Sequence, residues 1–283
     1  MIYFVIVIYN KYLNNSDSFQ SVVENLGDNK IVVIDNSDKP FFLSRNKNDV
    51  DSHIAYIQNG LNLGLSRSYN KALKYIGRNS FSDNNYICWL DDDTVLDKSF
   101  FKVLSSETRR HYDVIVPKII GQDGVIYSPN EKGFLKNRLV LNRKSGEINP
   151  KKFNAINSCL TVKTSIYRDY VYDERLFLDQ VDQLFFDSIR SRRLTYRILN
   201  VQIEQNFSQR EKKLDKTYLT RFAIRTKDMI EYGKISPCSS MPTAYLKNLL
   251  LGLYFSVKIS DFSFLKVSIK SLMHPLTVEG GHD

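Results

Sequence analysis

Short apolar runs, each ending abruptly in polar residues, recur through the first half of the chain. Ile2–Ile8 is β-branched and aromatic throughout and stops at Asn10. Ile31–Ile34 runs into Asp35-Asn36-Ser37-Asp38, Tyr86–Leu90 into Asp91-Asp92-Asp93, and His53–Ile57 and Val114–Val116 are two more such runs. Runs this short, apolar on both alternating faces, predict strands buried on both sides of a parallel sheet. Helical periodicity fills the gaps between them. Phe19, Val22, Val23 and Leu26 precede a stop at Gly27, Leu65, Tyr69, Ala72, Leu73 and Ile76 share one face, and a further helix is expected from Ser99 to about Arg110. Strand, helix and strand in alternation make βαβ units, and hence an α/β fold with a mostly parallel, Rossmann-like sheet flanked by helices.

Beyond residue 120 the pattern changes. Residues 121–152 are rich in Gly, Asn, Lys and Pro with no sustained period, and read as loops and short strands. Ile156–Val162 is apolar with small residues, a helix being expected to start nearby. Val171–Phe186 embeds Asp173, Glu174, Asp179 and Asp182 among aromatics and leads into a basic helix, and Leu194–Gln202 alternates weakly like an edge strand. From Thr217 the chain reads as basic amphipathic helix. This divides it into a main domain, 1–215, and a C-terminal helical extension, 216–283.

Composition narrows the class. At 283 residues, 42% hydrophobic and 25% charged, the chain is long enough for a sizeable core and too apolar for a disordered one. A net charge of +9 attracts anions: a nucleotide, an acidic membrane surface or nucleic acid. No zinc-finger spacing or RNA-binding aromatic consensus accompanies the charge, so nucleic acid is not expected as a partner. Cys88, Cys159 and Cys238 are scattered and odd in number, which argues against a disulfide framework and for a reducing, cytoplasmic setting. The N-terminal run lacks a basic leader, and neither it nor Leu249–Val257 approaches the ~20 residues that span a bilayer.

The chemistry concentrates at the ends of the predicted strands, where open α/β sheets bind ligands. Asp91-Asp92-Asp93 is either a solvated turn or a cation site; its apolar flanks, Trp89-Leu90 and Val95-Leu96, would force an acid toward the core, and buried carboxylates need a partner or a cation. Asp35-Asn36-Ser37 is an Asx turn or a ligand contact. Gly60 and Gly64 open the helix that carries Leu65–Ile76 in a way that suits a phosphate, though neither the dinucleotide nor the P-loop spacing is present. Asp179 and Asp182 are either first-turn acids that offset a helix dipole or carboxylates raised toward neutrality for base catalysis. The C-terminal stripe of Tyr245, Leu246, Leu249, Leu250, Tyr254 and Phe255 packs on its own domain or a second subunit, or lies on an anionic membrane.

Taken in order, Ile8-Tyr9-Asn10, Asp35-Asn36-Ser37, Asn62-x-Gly64 with Asn70, Asp91-x-Asp93 and Tyr172-Asp173-Glu174-x-Leu176-Phe177-x-Asp179-x-Val181-Asp182 resemble a family 2 glycosyltransferase of the GT-A fold, most like its rhamnosyl and galactofuranosyl transferase branches. The resemblance covers about residues 2–226. It implies an inverting hexosyltransferase that moves a sugar from a UDP- or dTDP-sugar to a saccharide or lipid-linked saccharide acceptor in cell-surface polysaccharide synthesis. It further implies that Ile8, Tyr9, Asn10 and Asp35 hold the nucleotide and that Asn62, Gly64, Arg67 and Asn70 line the donor pocket. Asp91 and Asp93 would bind Mn2+ or Mg2+, Asp92 would face the donor, Asp182 would be the general base and Asp179 would touch the acceptor. Members of that family commonly carry a histidine after the late edge strand, and Gln205 stands there in this chain. The expected location is cytoplasmic, peripheral on the inner face of the membrane, with the C-terminal helices on lipid or forming a homodimer. A sugar nucleotidyltransferase and a non-catalytic basic scaffold are the alternatives. The first usually needs a Gly-rich, Arg- and Lys-containing N-terminal signature, which the loop after Tyr9 lacks.

Overall fold

The computed structural model describes residues 1–50, 54–77, 80–143, 146–207 and 217–273. Four parallel strands form its first half: β1 (Ile2–Ile8), β2 (Lys30–Asp35), β3 (Ile54–Gln58) and β4 (Tyr86–Leu90), in spatial order β3-β2-β1-β4. Helices α1 (Asp17–Glu24), α2 (Pro40–Asp49) and α3 (Gly64–Ile76) make the crossovers. Because β2 and β3 build outward from one side of β1 and β4 joins the other, the order of strands reverses between β1 and β4. Loops diverge at such a point and leave a crevice at the carboxyl ends of the two strands. Tyr9–Lys11 and Asp91–Asp93 flank that crevice.

After α4 (Lys98–Thr108), β5 (Val114–Gly121) carries a short antiparallel partner, β6 (Ile126–Ser128), and β7 (Asn130–Glu131) pairs with β8 (Phe153–Asn154) in a separate ribbon. The apolar stretch after Ile156 is a strand, β9 (Leu160–Lys163), wedged antiparallel between β4 and β5 and followed by a 3-10 turn at Thr164–Asp169 rather than an α-helix. Small residues and Thr161 suit it to a strand covered on both faces. Helix α5 (Val181–Ile189) follows, and β10 (Tyr196–Gln205) is indeed an edge strand, parallel to β5, that starts two residues later and ends three residues later than the alternation predicts. His53, His274, His282 and the boundary at 215/216 lie outside the described residues.

Strict alternation divides the core between the two faces of the sheet. Tyr3, Val5, Val32, Ile34, Ile87 and Trp89 pack with α3 and α5, whereas Phe4, Ile6, Ile31, Val33, Cys88 and Leu90 pack with α1 and α4. The C-terminal helices α6 (Thr217–Ile235), α7 (Met241–Ile259) and α8 (Ser263–Met273) hold a smaller core of Tyr218, Phe222, Phe255 and Phe264. Gly252 lets α7 and α8 meet closely, since a Cβ there would stand 2.3 Å from Ser268 Oγ.

Candidate active site

The acidic end of β4 is held from below by the first turn of α1. Ser18 Oγ donates to the carbonyls of Asp91 and Thr94, and Ser16 Oγ donates to the carbonyl of Asp92 at 2.8 Å while also capping α1. Neither serine stands out in the sequence, because small polar residues before a helix are ordinary caps. The three acids diverge. Asp91 turns inward, Asp92 pairs with Lys11 of the β1 loop at 3.0 Å across the crevice, and Asp93 is exposed.

Beneath Asp91 lies an aromatic floor of Tyr69, Trp89, Tyr167, Tyr172 and Phe185, tied together by a 2.7 Å hydrogen bond from Trp89 Nε1 to Tyr167 Oη. Asp182, in the first turn of α5, acts together with Asp91 on Tyr69 of that floor. Burial, reinforced by the charge of Asp93, pushes the Asp91 carboxyl up to about 6. Burial pushes Asp182 up to about 7, against the lowering by the Gln183 N–H that bonds its Oδ1 at 2.7 Å, with Asp179 and Asp91 adding repulsion. Both carboxylates also raise the buried Tyr69 phenol. Asp182 therefore occupies a first helical turn, yet desolvation outweighs the helix dipole there.

Gln205, at the end of β10, reaches Asp91 across the sheet: its Nε2 donates to Asp91 Oδ2 at 2.7 Å. A bulge between Ile198 and Gln202 adds twist to that strand. The Gln205 Oε1 is buried and, among the described residues, has no hydrogen-bond partner. A desolvated carboxylate beside an orphaned amide oxygen is a donor set that fits a hard divalent cation. Among the described residues no three His, Cys, Asp or Glu converge to hold one alone. Ions such as Mg2+ keep few protein ligands and complete their shell with water or phosphate oxygens.

At the nucleotide end, the loops after β1 and β2 interlock. Tyr9 Oη donates to Asp38 at 3.0 Å, Asn10 Nδ2 donates to Asp38 at 2.9 Å, and the Asn10 backbone N–H donates to Ser37 Oγ at 2.8 Å. Asn62 joins this rim through Tyr9 and accepts from the Gly64 N–H at 3.0 Å. Ile8 and Asp35 are set deeper. The Ile8 side chain is in the core, with its carbonyl bonded to the Asn36 N–H. Asp35 is fully buried and accepts from Asn46, Tyr56 and the Ser37 N–H. The polar groups open at this edge are thus those of Tyr9, Asn10 and Asp38.

Helix α3 connects the rim to the segment that carries Asp182. Gly64, at φ +76°, could not carry a side chain, because a Cβ would lie 2.4 Å from the Phe177 carbonyl, to which the Leu65 N–H donates at 2.6 Å. Asn70 clamps both the N–H and the carbonyl of Tyr172, and Arg67 pairs with Glu174 at 3.5 Å. Both side chains brace this segment, Arg67 remaining half exposed at the wall of a surface cavity. Asp179 pairs with Arg221 of α6. Asp228, also on α6, is fully buried and accepts from the N–H groups of Phe177, Leu178 and Asp179 at 2.9, 2.7 and 2.7 Å. Sequence reasoning missed it, since an acid among basic residues in a helix reads as a surface position.

A model of glycosyl transferase family 2 matches residues 3–176, more than half of the chain. No curated protein matches it in sequence. Among solved structures, a mannosyltransferase from Pyrobaculum calidifontis, in complex with GDP-mannose and Mn2+, is 9% identical. The match covers 96% of this chain and 86% of that one, with a TM-score of 0.54. The glucosyl-3-phosphoglycerate synthase of Mycobacterium tuberculosis, with Mn2+, UDP and phosphoglyceric acid, is 11% identical over 80% of this chain and 76% of that one, at a TM-score of 0.48. The family model together with the mostly parallel sheet assigns the chain: it belongs to glycosyl transferase family 2.

Proposed function

We propose that this chain is an inverting glycosyltransferase that moves a hexosyl group from a UDP- or dTDP-sugar to a saccharide acceptor, in the manner of the rhamnosyl and galactofuranosyl branches. The observation that carries the reading is the pair of desolvated carboxylates, Asp91 and Asp182, both acting on Tyr69 of one aromatic floor at the carboxyl end of the sheet. Tyr9, Asn10 and Asp38, with Asn62, receive the nucleoside, and Lys11 and Asp92 stand beside the diphosphate and donor sugar. Asp91 and Asp93, with the Gln205 amide oxygen, would hold Mn2+ or Mg2+. Bound there, the cation offsets the charge that builds on the departing nucleoside diphosphate. The Mn2+ and GDP-mannose in the Pyrobaculum structure support both a cation and a nucleotide-sugar donor.

Asp182 takes the proton of the acceptor hydroxyl as that oxygen forms its bond to the anomeric carbon. The bond from that carbon to the diphosphate oxygen breaks on the opposite face, which inverts the configuration. A carboxylate with its pKa near 7 suits a general base at neutral pH. Asp182→Asn is expected to abolish transfer while leaving the affinity for the donor nucleotide unchanged, as read by product formation and calorimetry. Near wild-type turnover in that variant would sink the assignment.

The setting we propose is the cytoplasmic face of a membrane. No described helix is long and apolar enough to cross one. The outer face of α7, however, exposes Leu246, Leu250, Leu253, Tyr254 and Val257, continued by Phe262, and Lys258 of α7 and Lys266 and Lys270 of α8 are exposed as well. An apolar ridge on helices that also expose lysines matches an anionic lipid surface, which favours a lipid-linked acceptor.

A further inference from the structure

A second polar centre lies further along the helix that carries Asp182. Asp187 of α5 is buried and accepts from Lys132 Nζ at 2.5 Å, Tyr232 Oη at 2.5 Å, Ser236 Oγ at 2.7 Å and Arg190 Nη2 at 3.2 Å. One carboxylate thus serves two cations. Beside it opens a cavity of about 320 Å³ lined by Lys132, Ser239, Ser240, Thr243 and Lys247, with Phe134 at its wall. Lys247 brings a third cation; it feels the charge of Asp187, whose ion-pair contacts go to Lys132 and Arg190. Burial and the neighbouring charge of Lys132 lower the hold of Lys247 on its proton, a repulsion that an anion would relieve.

The remaining wall is equally suited to an oxyanion. The hydroxyls of Ser240 and Thr243 meet at 3.0 Å, and Ser240, at the N-cap of α7, accepts no backbone N–H of its first turn. Asp182 and Asp187 are five residues apart on α5, or ~7.5 Å along the axis at the rise of an α-helix. Because five residues also turn about 140° around the axis, the two carboxylates leave α5 on different sides, Asp187 toward Lys132 and Tyr232. Asn137 of the loop beyond Lys132 bonds to Gln183, next to the base, at 3.3 Å. Leu246, the first residue of the exposed ridge, adjoins Lys247.

We propose that this cavity binds a phosphate group of the acceptor, held by Lys132 and Lys247 with the hydroxyls of Ser239, Ser240 and Thr243. The assignment to an acceptor rests on the glycosyltransferase reading; the anion site itself rests on the cavity. Phosphate held here would anchor the acceptor beside α5 and leave any lipid tail free to follow the ridge.

The test is calorimetric titration of the full chain with phenyl phosphate, which carries no nucleoside, with UDP and Mn2+ titrated in parallel. Lys247→Gln is expected to weaken phenyl phosphate binding by about tenfold or more, the worth of one charge-assisted hydrogen bond, while UDP binding stays as in wild type and Lys247→Arg restores the phosphate. Equal phenyl phosphate affinity in wild type and Lys247→Gln, or none in either, overturns the proposal while intact UDP binding keeps the transferase reading. Phosphate binding without UDP binding overturns the acceptor assignment. Dodecyl phosphate separates the sources: tighter binding than phenyl phosphate supports a lipid phosphate, and equal binding a soluble phosphosugar.

Discussion

Asp228 holds the loop before the proposed base by three backbone hydrogen bonds, at 2.7–2.9 Å, from a fully buried carboxylate. Burial pushes that carboxyl up to about 6 against the lowering by the three N–H donors, so at pH 7.5 it is ionised and accepts all three. Asp228→Ala strands those donors. A buried unsatisfied group costs roughly 1–3 kcal/mol and loss of a buried charged partner roughly 3–5 kcal/mol; allowing for water entering the gap, about 3–5 kcal/mol of stability should disappear. At about 2 °C per kcal/mol for a chain of this size, the melting temperature should fall by ~6–10 °C. The loop leads through Gln180, left-handed at φ 64°, directly into Asp182. A displacement of ~1 Å there would lower kcat by about 100-fold, with a smaller effect on donor affinity. Asp228→Asn keeps one acceptor oxygen and should fall between Ala and wild type. The assays are scanning calorimetry and single-turnover transfer well below the melting point. An Ala variant that melts within ~1 °C of wild type, a shift worth under ~0.5 kcal/mol, and keeps its kcat would refute the positioning role.

Two further outcomes are expected. Gly64→Ala forces a Cβ to 2.4 Å from the Phe177 carbonyl at a positive φ; left-handed strain and overpacking together cost about 2–5 kcal/mol, visible as a lower urea midpoint, and an unchanged midpoint would show that the α3–Phe177 contact does not constrain the fold. With Asp182 at about 7, kcat/KM should fall tenfold per pH unit below about pH 7. The same shift makes the folded chain bind that proton more tightly than the unfolded one, so its contribution to stability, present below about pH 4, is lost as pH rises through about 7. A pH–rate profile with no acidic limb between pH 5 and pH 8 would contradict it.

Much of this protein was legible in its residues. The apolar runs of β1, β2 and β4 are continuous and short, and buried parallel strands leave no other pattern. The polar breaks behind them marked the crevice, and the acids of 91–93 and 173–182 drew notice because carboxylates bordered by Trp89, Leu90, Phe185 and Phe186 need a reason to be there; it was the family resemblance that picked Asp91, Asp93 and Asp182 from among them. The order of five weak motifs then pointed to the family. The stretch after Ile156 was harder, because small and apolar residues suit a strand and a helix start equally until neighbours are known. Only the paired edges of β4 and β5 decide for β9.

The tertiary structure alone decided the environment of each carboxylate. Sequence places Asp35 and Asp91 at equivalent strand ends, but Asn46 and Tyr56 consume the first, whereas Gln205 leaves an oxygen open beside the second. It also decided that Asn70 is a clamp and that Asp228 supports a loop 49 to 51 residues away in the chain. Likewise it drew Lys132, Asp187 and Lys247 around one cavity. Burial and hydrogen-bond partners come from contacts between distant segments, and a local pattern carries only the periodicity of its own element. Sequence by itself determined which elements form and where their polar ends lie; long-range packing determined which of those polar ends are satisfied and which remain free for chemistry.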